Sequence, residues 1–159
     1  MREDKVAPEG VTFRTAGSDD IEFICDLFAR SRAAAMPYLP VLHTPQEDRA
    51  FFSSYLQSGT MTLAVQQAVA GFIVETPGWI EHLYLDPAQR GQGIGQSLVQ
   101  LAMRRQEQLH LWCFARNSAA RRFYERLGFV QIGGTEGDNE EGLPDILYAW
   151  RRPSSAVPD

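Results

Sequence analysis

The apolar positions of this chain change period several times, and each change predicts an element. Val11-Thr-Phe-Arg-Thr15 alternates as a strand. Ile21, Ile24, Leu27 and Phe28 then fall on one helical stripe behind Ser18 and Asp19, which can cap it, and the stripe fades near Ala35 ahead of Pro37. Thr44-Pro45-Gln46-Glu47 is a capping box with proline at the first helical position, and so starts a second helix. Met61 to Gln67 and Gly71 to Glu75 read as strands joined by a short turn, and Pro77-Gly78 leads into a third apolar run, Trp79 to Leu85. Ile94, Leu98, Leu101 and Ala102 have helical spacing, predicting a helix to about Gln108. Leu109 to Phe114 is the next strand, parallel to the Trp79 run because a helix joins the two. Asn117 can cap a last helix with Ala120, Phe123, Tyr124 and Leu127 inward and Gly128 at its end. Phe129 to Gly133 and Leu147 to Trp150 predict a closing antiparallel pair.

The joint between the Trp79 strand and its helix has the chemistry of an anion site. Asp86-Pro87 ends the strand, since proline has no amide hydrogen to donate, and Gly91, Gly93 and Gly95 break the chain just before the helix. A loop that wraps a phosphate with its own N–H groups needs positive φ and close backbone approach, which glycine permits at little cost. The helix behind it adds unpaired donors and a positive dipole end. The dinucleotide pattern G-x-G-x-x-G does not fit, because Gln96 stands at its last glycine and no acid ends the next strand. A P-loop is excluded as well, since the only lysine is Lys5.

Size and charge narrow the setting. At 159 residues the chain suits one domain, over 11–151, with a loose N-terminus over 1–10 and a polar tail over 152–159. There is no apolar run long enough for a membrane span and no hydrophobic leader, so a cytoplasmic protein without a membrane partner is the expectation. Cys25 and Cys113 lack metal or disulfide spacing, which leaves no metal site to propose. The net charge of -5 argues against nucleic acid as a partner, yet it is unevenly spread. Seven arginines lie between Arg90 and Arg126 against Glu107 and Glu125, whereas Glu136, Asp138, Glu140, Glu141 and Asp145 form an acidic stretch. A polyanion on one side and a cationic acceptor on the other would suit this division.

Arg90-Gly91-Gln92-Gly93-Ile94-Gly95 resembles the R-x-x-G-x-G pyrophosphate signature of the GNAT superfamily of acyl-CoA-dependent N-acetyltransferases. Leu83-Tyr84-Leu85-Asp86-Pro87 is similar to that family's preceding strand. Asn117 through Tyr124 to the Gly128-Phe129 pair is similar to its later helix. The resemblance covers roughly residues 79 to 130. It implies an α/β (α+β) fold whose mixed, mostly antiparallel sheet of seven strands splays between the fourth and fifth, with helices on both faces. It also implies acetyl-CoA as cosubstrate and direct attack by a primary amine, from a small molecule or a peptide, in a ternary complex.

Carried over residue by residue, the resemblance assigns cofactor contacts to the backbone of Leu83, Tyr84 and Leu85, to Arg90, Gly91, Gln92, Gly93, Ile94, Gly95 and Gln96, and to Asn117 and Tyr124. Tyr124 becomes the candidate proton donor to the leaving thiol, with packing as its simpler reading, and Asn117 either caps its helix, binds cofactor, or does both. The first two helices' connection lines the acceptor side in that family, which makes Tyr38 and Leu39 candidate substrate contacts; for Tyr38 packing is the simpler reading, and for His43 a surface role. Glu81 is the candidate base and an acceptor contact. It sits two residues before Leu83, hence on the same strand face, and an acid inside Trp-Ile-Glu-His-Leu-Tyr-Leu should be partly desolvated with a raised pKa, unless an arginine pairs with it. His82, on the opposite face, is second choice. A non-catalytic acyl-CoA sensor is the alternative reading, and a closing edge strand could pair two copies into a homodimer.

Overall fold

A seven-stranded sheet in the order β1-β2-β3-β4-β5-β7-β6 organises the chain in the computed structural model, which describes residues 7–154. Its strands are β1 (Thr12–Thr15), β2 (Thr60–Gln66), β3 (Ala68–Thr76), β4 (Trp79–Leu85), β5 (Gln108–Phe114), β6 (Val130–Thr135) and β7 (Asp145–Arg151). The helices are α1 (Ile21–Ala35), α2 (Pro45–Ser58), α3 (Ile94–Arg105) and α4 (Ser118–Arg126). Every neighbouring pair is antiparallel except β4 and β5, which are parallel as the connecting helix requires. The expected loose residues 1–6 and 155–159 lie outside the described part of the chain. Among the described residues no helix is long and apolar enough to cross a membrane.

Two cores sandwich the sheet. Ile24, Leu27, Phe28 and Phe52 from α1 and α2 pack on Leu63, Phe72 and Val74. On the other face Ile94, Leu98, Val99 and Ala102 of α3, with Tyr124 of α4, pack on Ile73, Ile80, Leu109 and Leu111. Burying side chains of this size stabilises the fold by roughly 1.5–3 kcal/mol each before entropy is subtracted. The predicted capping box at α2 is present, with Thr44 Oγ1 accepting from Glu47 N at 3.1 Å and Glu47 Oε1 from Thr44 N at 2.9 Å. At α1 the outcome differs: Ser18–Asp20 form a short 3-10 turn, and Asp20 rather than Ser18 takes a backbone N–H, that of Gly17 at 2.8 Å.

Two boundaries also moved. Helix α3 ends at Arg105, short of the expected Gln108, because the Gln106 side chain is engaged elsewhere: it accepts from Gly78 N at 2.6 Å and donates to Glu75 at 3.1 Å. Glu75 is buried and paired with Arg105 at 2.8 Å, so these contacts pin the start of β4 beneath the end of α3. The turn between β2 and β3 is tighter than expected, with Gln67 in the left-handed region at φ 70°.

Two features of β4 position the site. Its only register partner on β5 is Trp79 with His110, so the strands part immediately after meeting and the sheet splays between the fourth and fifth strands, as the resemblance implied. Against β3, Val74 pairs with His82 but Glu75 pairs with Ile80, which leaves Glu81 as the extra residue of a β-bulge. The bulge resets the alternation. Ile80 and Leu83 both face the α3 core, three positions apart, while Tyr84 packs on the α1/α2 side.

Candidate active site

The glycine loop has the geometry its sequence asked for. Gly91 and Gly93 have φ of 81° and 84°, a region that residues with a Cβ seldom enter. Gly93 is the N-cap of α3 and no side chain among the described residues satisfies that terminus, so the first-turn N–H groups of Ile94, Gly95 and Gln96 are donors without an intrahelical partner. Ile94 is fully buried, whereas Gly91, Gln92, Gly93 and Gln96 are exposed. Gly95 lets α3 lie close on its neighbours: a Cβ there would meet Leu85 at 3.3 Å and Phe123 at 3.5 Å. Arg90 is tied back to α1, donating to the Ser31 carbonyl at 3.3 Å, and Arg30 reaches Asp86 at 3.3 Å. Together the loop and the orphan donors fit a diphosphate.

Where β4 and β5 part, a cavity of about 130 Å³ brings together Glu81, Leu83, Tyr84, Asn117 and Tyr124. Tyr124 is buried against Phe123 and Phe129, and desolvation holds its phenol far above the usual tyrosine range. Asn117 caps α4, its Oδ1 accepting from Ala120 N at 3.2 Å, and still lines the cavity. The side chains of Leu83 and Leu85 pack on the α3 core, so only their backbone is open to a ligand. Cys113 lines the same cavity; burial pushes its thiol up to about 11, and it stays protonated near neutral pH.

Glu81 is where expectation and structure part. The bulge takes it off the face of Leu83, and its carboxylate is exposed, accepting the Thr76 hydroxyl at 2.6 Å, so neither the desolvation nor the arginine partner is found. The less exposed member of the pair is His82, which is half-buried. Its ring lies among Phe28, Phe51, Phe52, Tyr55 and Tyr84 at centroid distances of 5.1–6.2 Å, with Tyr55 Oη 3.4 Å from Nε2. Burial, aided by the charge of Arg32, draws its pKa down to about 4. Sequence periodicity had sent His82 away from Glu81; with the bulge both line the side toward α1 and α2.

That side is a cavity of about 650 Å³ between α1, α2 and the β6–β7 loop. Its acids are Glu47, Asp48, Glu81, Glu140 and Glu141, its bases Arg32, His43 and His82, and its apolar walls include Phe28, Phe51 and Phe114. Arg32 pairs with Glu141 at 3.2 Å and lies over the Phe28 ring at 5.1 Å. His43, expected on the surface, bridges Glu140 at 3.0 Å and Glu47 at 3.5 Å, and the hydrogen bond to Glu140 is the main cause raising its pKa. Leu39 lines an adjoining cavity, whereas Tyr38 lies under the Arg116 guanidinium at 4.0 Å with its hydroxyl buried and without a hydrogen-bond partner among the described residues. Arg32, Phe51 and Tyr55 escaped the sequence reading, because on a helix wheel they are ordinary face and core residues.

The half-buried histidine predicts a pH dependence of stability. Its folded pKa of about 4 lies below the unfolded value of 6.5, so between these the unfolded chain binds more protons and stability rises with pH. Its contribution is present above 6.5 and is lost as pH falls through 4, about 3 kcal/mol in all. Urea unfolding at intervals from pH 4 to 7 should show that slope, and His82→Phe should flatten it; an unchanged slope in the variant would assign it to other groups.

The family model for the acetyltransferase (GNAT) domain matches residues 57–131, the stretch that holds β4, the glycine loop, α3 and α4. The chain contains a GNAT acetyltransferase domain. The peptidyl-lysine N-acetyltransferase YjaB of Salmonella typhimurium is 28% identical over 131 residues, covering 81% of this chain and 90% of that protein. The solution structure of apo YjaB from Escherichia coli superposes with a TM-score of 0.75 at 24% identity, covering 90% of this chain and 99% of that one. YncA of Salmonella typhimurium, solved with its cofactor acetyl-CoA, superposes with a TM-score of 0.69 at 18% identity, over 94% of this chain and 98% of that one. This GNAT domain thus shares its fold with both structures.

Proposed function

We propose that this GNAT domain is an N-acetyltransferase that takes acetyl groups from acetyl-CoA and passes them to a primary amine, in particular a lysine side chain, by direct attack in a ternary complex. One observation carries the reading: Tyr124 and Glu81 line the same cavity at the gap between β4 and β5. Bound there, acetyl-CoA would supply a thioester, an acyl group already activated toward amines.

The chain's own residues then divide the work. The N–H groups around Gly93 to Gln96 hold the diphosphate, and the unpaired backbone of β4 beyond Trp79 hydrogen-bonds the pantetheine arm as an added strand would. A backbone N–H at this gap polarises the carbonyl. Glu81, reached by solvent, accepts the amine's proton directly or through water. Tyr124 keeps its proton throughout the working pH range and offers it to the departing sulfur; a thiol normally titrates near ~8.5, so full transfer relies on desolvation of the thiolate in this closed site. Cys113 is protonated and therefore a poor nucleophile, which supports direct attack over an acyl-enzyme. A lysine-type acceptor is supported by the five carboxylates of the acceptor cavity and by the likeness to a peptidyl-lysine N-acetyltransferase.

Free-thiol release from acetyl-CoA across lysyl peptides, polyamines and amino sugars tests this reading. Amine-dependent turnover supports it, and tight acetyl-CoA binding with no turnover would turn the chain into a sensor. Glu81→Gln should lower kcat/KM about tenfold near neutrality and move the acid limb of its pH profile; a superimposable profile would remove Glu81 as base.

A further inference from the structure

We propose that a second cavity, between α1 and the 36–43 connection, is a subsite for a large apolar side chain next to the acetylated lysine. This rests on the N-acetyltransferase reading above and adds to it a preference for the acceptor's neighbouring residue.

The cavity measures about 290 Å³, roughly twice the ~150 Å³ that suffices for benzene in a protein interior. Phe28, Met36, Leu39, Pro40, Val41 and Leu42 give it an apolar lining. It is continuous with the acceptor cavity, since Phe28, Arg32, His43, Asp48 and Glu141 belong to both, and the far end of that cavity reaches Glu81 and His82. A small amine would sit in the inner space near Glu81 and leave the outer one unused. A peptide with its lysine directed at Glu81 has a neighbouring side chain at the right scale to enter the outer space.

The wall between the two spaces is mostly neutralised: Arg32 is already paired with Glu141 and spread over Phe28, and His43 with Glu140, so of the charges shared by both spaces only Asp48 has no ion-pair partner among the described residues. The acids around the inner cavity complement the ammonium end of the lysine, while the outer lining complements what flanks it. Val41 and Leu42 are 93% and 45% exposed at the rim, so a docked side chain would also cover them. The connection is stiffened by Pro37 and Pro40 and by the Leu39 N–H donating to the Met36 carbonyl at 3.0 Å, so the subsite is largely formed before binding.

The test compares kcat/KM on lysyl peptides that differ only in the residue before or after lysine: Leu, Phe, Ser or Asp. The Leu and Phe peptides should exceed the Ser and Asp peptides at least tenfold, with the difference in KM. Ala33→Trp, on an exposed position of α1 that lines the cavity, should abolish this preference and leave the Ser peptide within twofold of its original rate. Equal rates on all peptides, or a preference that survives Ala33→Trp, would overturn the subsite alone. Failure to acetylate any lysyl peptide or free amine would overturn the transferase reading and the subsite with it.

Discussion

Replacing Tyr124 with phenylalanine is expected to lower kcat about a hundredfold while leaving the dissociation constant for acetyl-CoA within a factor of two. The change deletes one oxygen from a ring held between Phe123 and Phe129, so packing and the cavity wall survive. The phenol's proton goes with it, and general acid assistance of this kind contributes about 10²–10⁴ in rate. Stopped assays of thiol release give kcat, and calorimetry on the same sample gives the affinity. A variant with the original kcat would return Tyr124 to the status of a packing residue; a variant that lost affinity instead would make it a binding group.

Gly93→Val should have the opposite signature, raising the dissociation constant for acetyl-CoA at least tenfold. A β-branched residue cannot sit easily at φ 84°, a strain of about 1–2 kcal/mol, so the loop will swing toward negative φ and carry its N–H groups off target. The fold should tolerate this, because the nearest atom to a Cβ at Gly93 is Pro8 Cγ at 3.9 Å. The melting temperature should therefore fall only by a few degrees. Undiminished affinity in a folded Gly93→Val would mean that these amides do not grip the diphosphate, and the proposed function would lose its foundation.

How much of this could be read from the chain follows from which signals are local. A capping box at Thr44, proline and glycine at element ends, and a helix between two buried strands all act within a few residues, and the elements they predict are present. The glycine loop was legible for the same reason, since the positive φ of Gly91 and Gly93 is a backbone demand that no distant residue modifies. The bulge at Glu81 was not. Strand alternation assigns faces by counting in twos, and one unpaired residue reverses every assignment before it, which is why Glu81 and His82 were placed on the wrong sides of each other. The acceptor cavity was even less accessible, because Arg32 and its partner Glu141 stand 109 positions apart and neither carries a spacing that announces the other.

The single backbone pairing between β4 and β5 has a consequence for solubility. Free N–H and C=O groups along a strand normally invite another protein to add to the sheet, and proteins suppress this at their margins with charge, bulges or proline. Here the open edge is in the middle of the molecule, walled by helices and by the diverging strand, so a foreign strand flanked by its own sheet has no approach. A slender flexible chain does. The protein can thus keep its main chain available for recognition throughout its life without offering a seed for polymerisation.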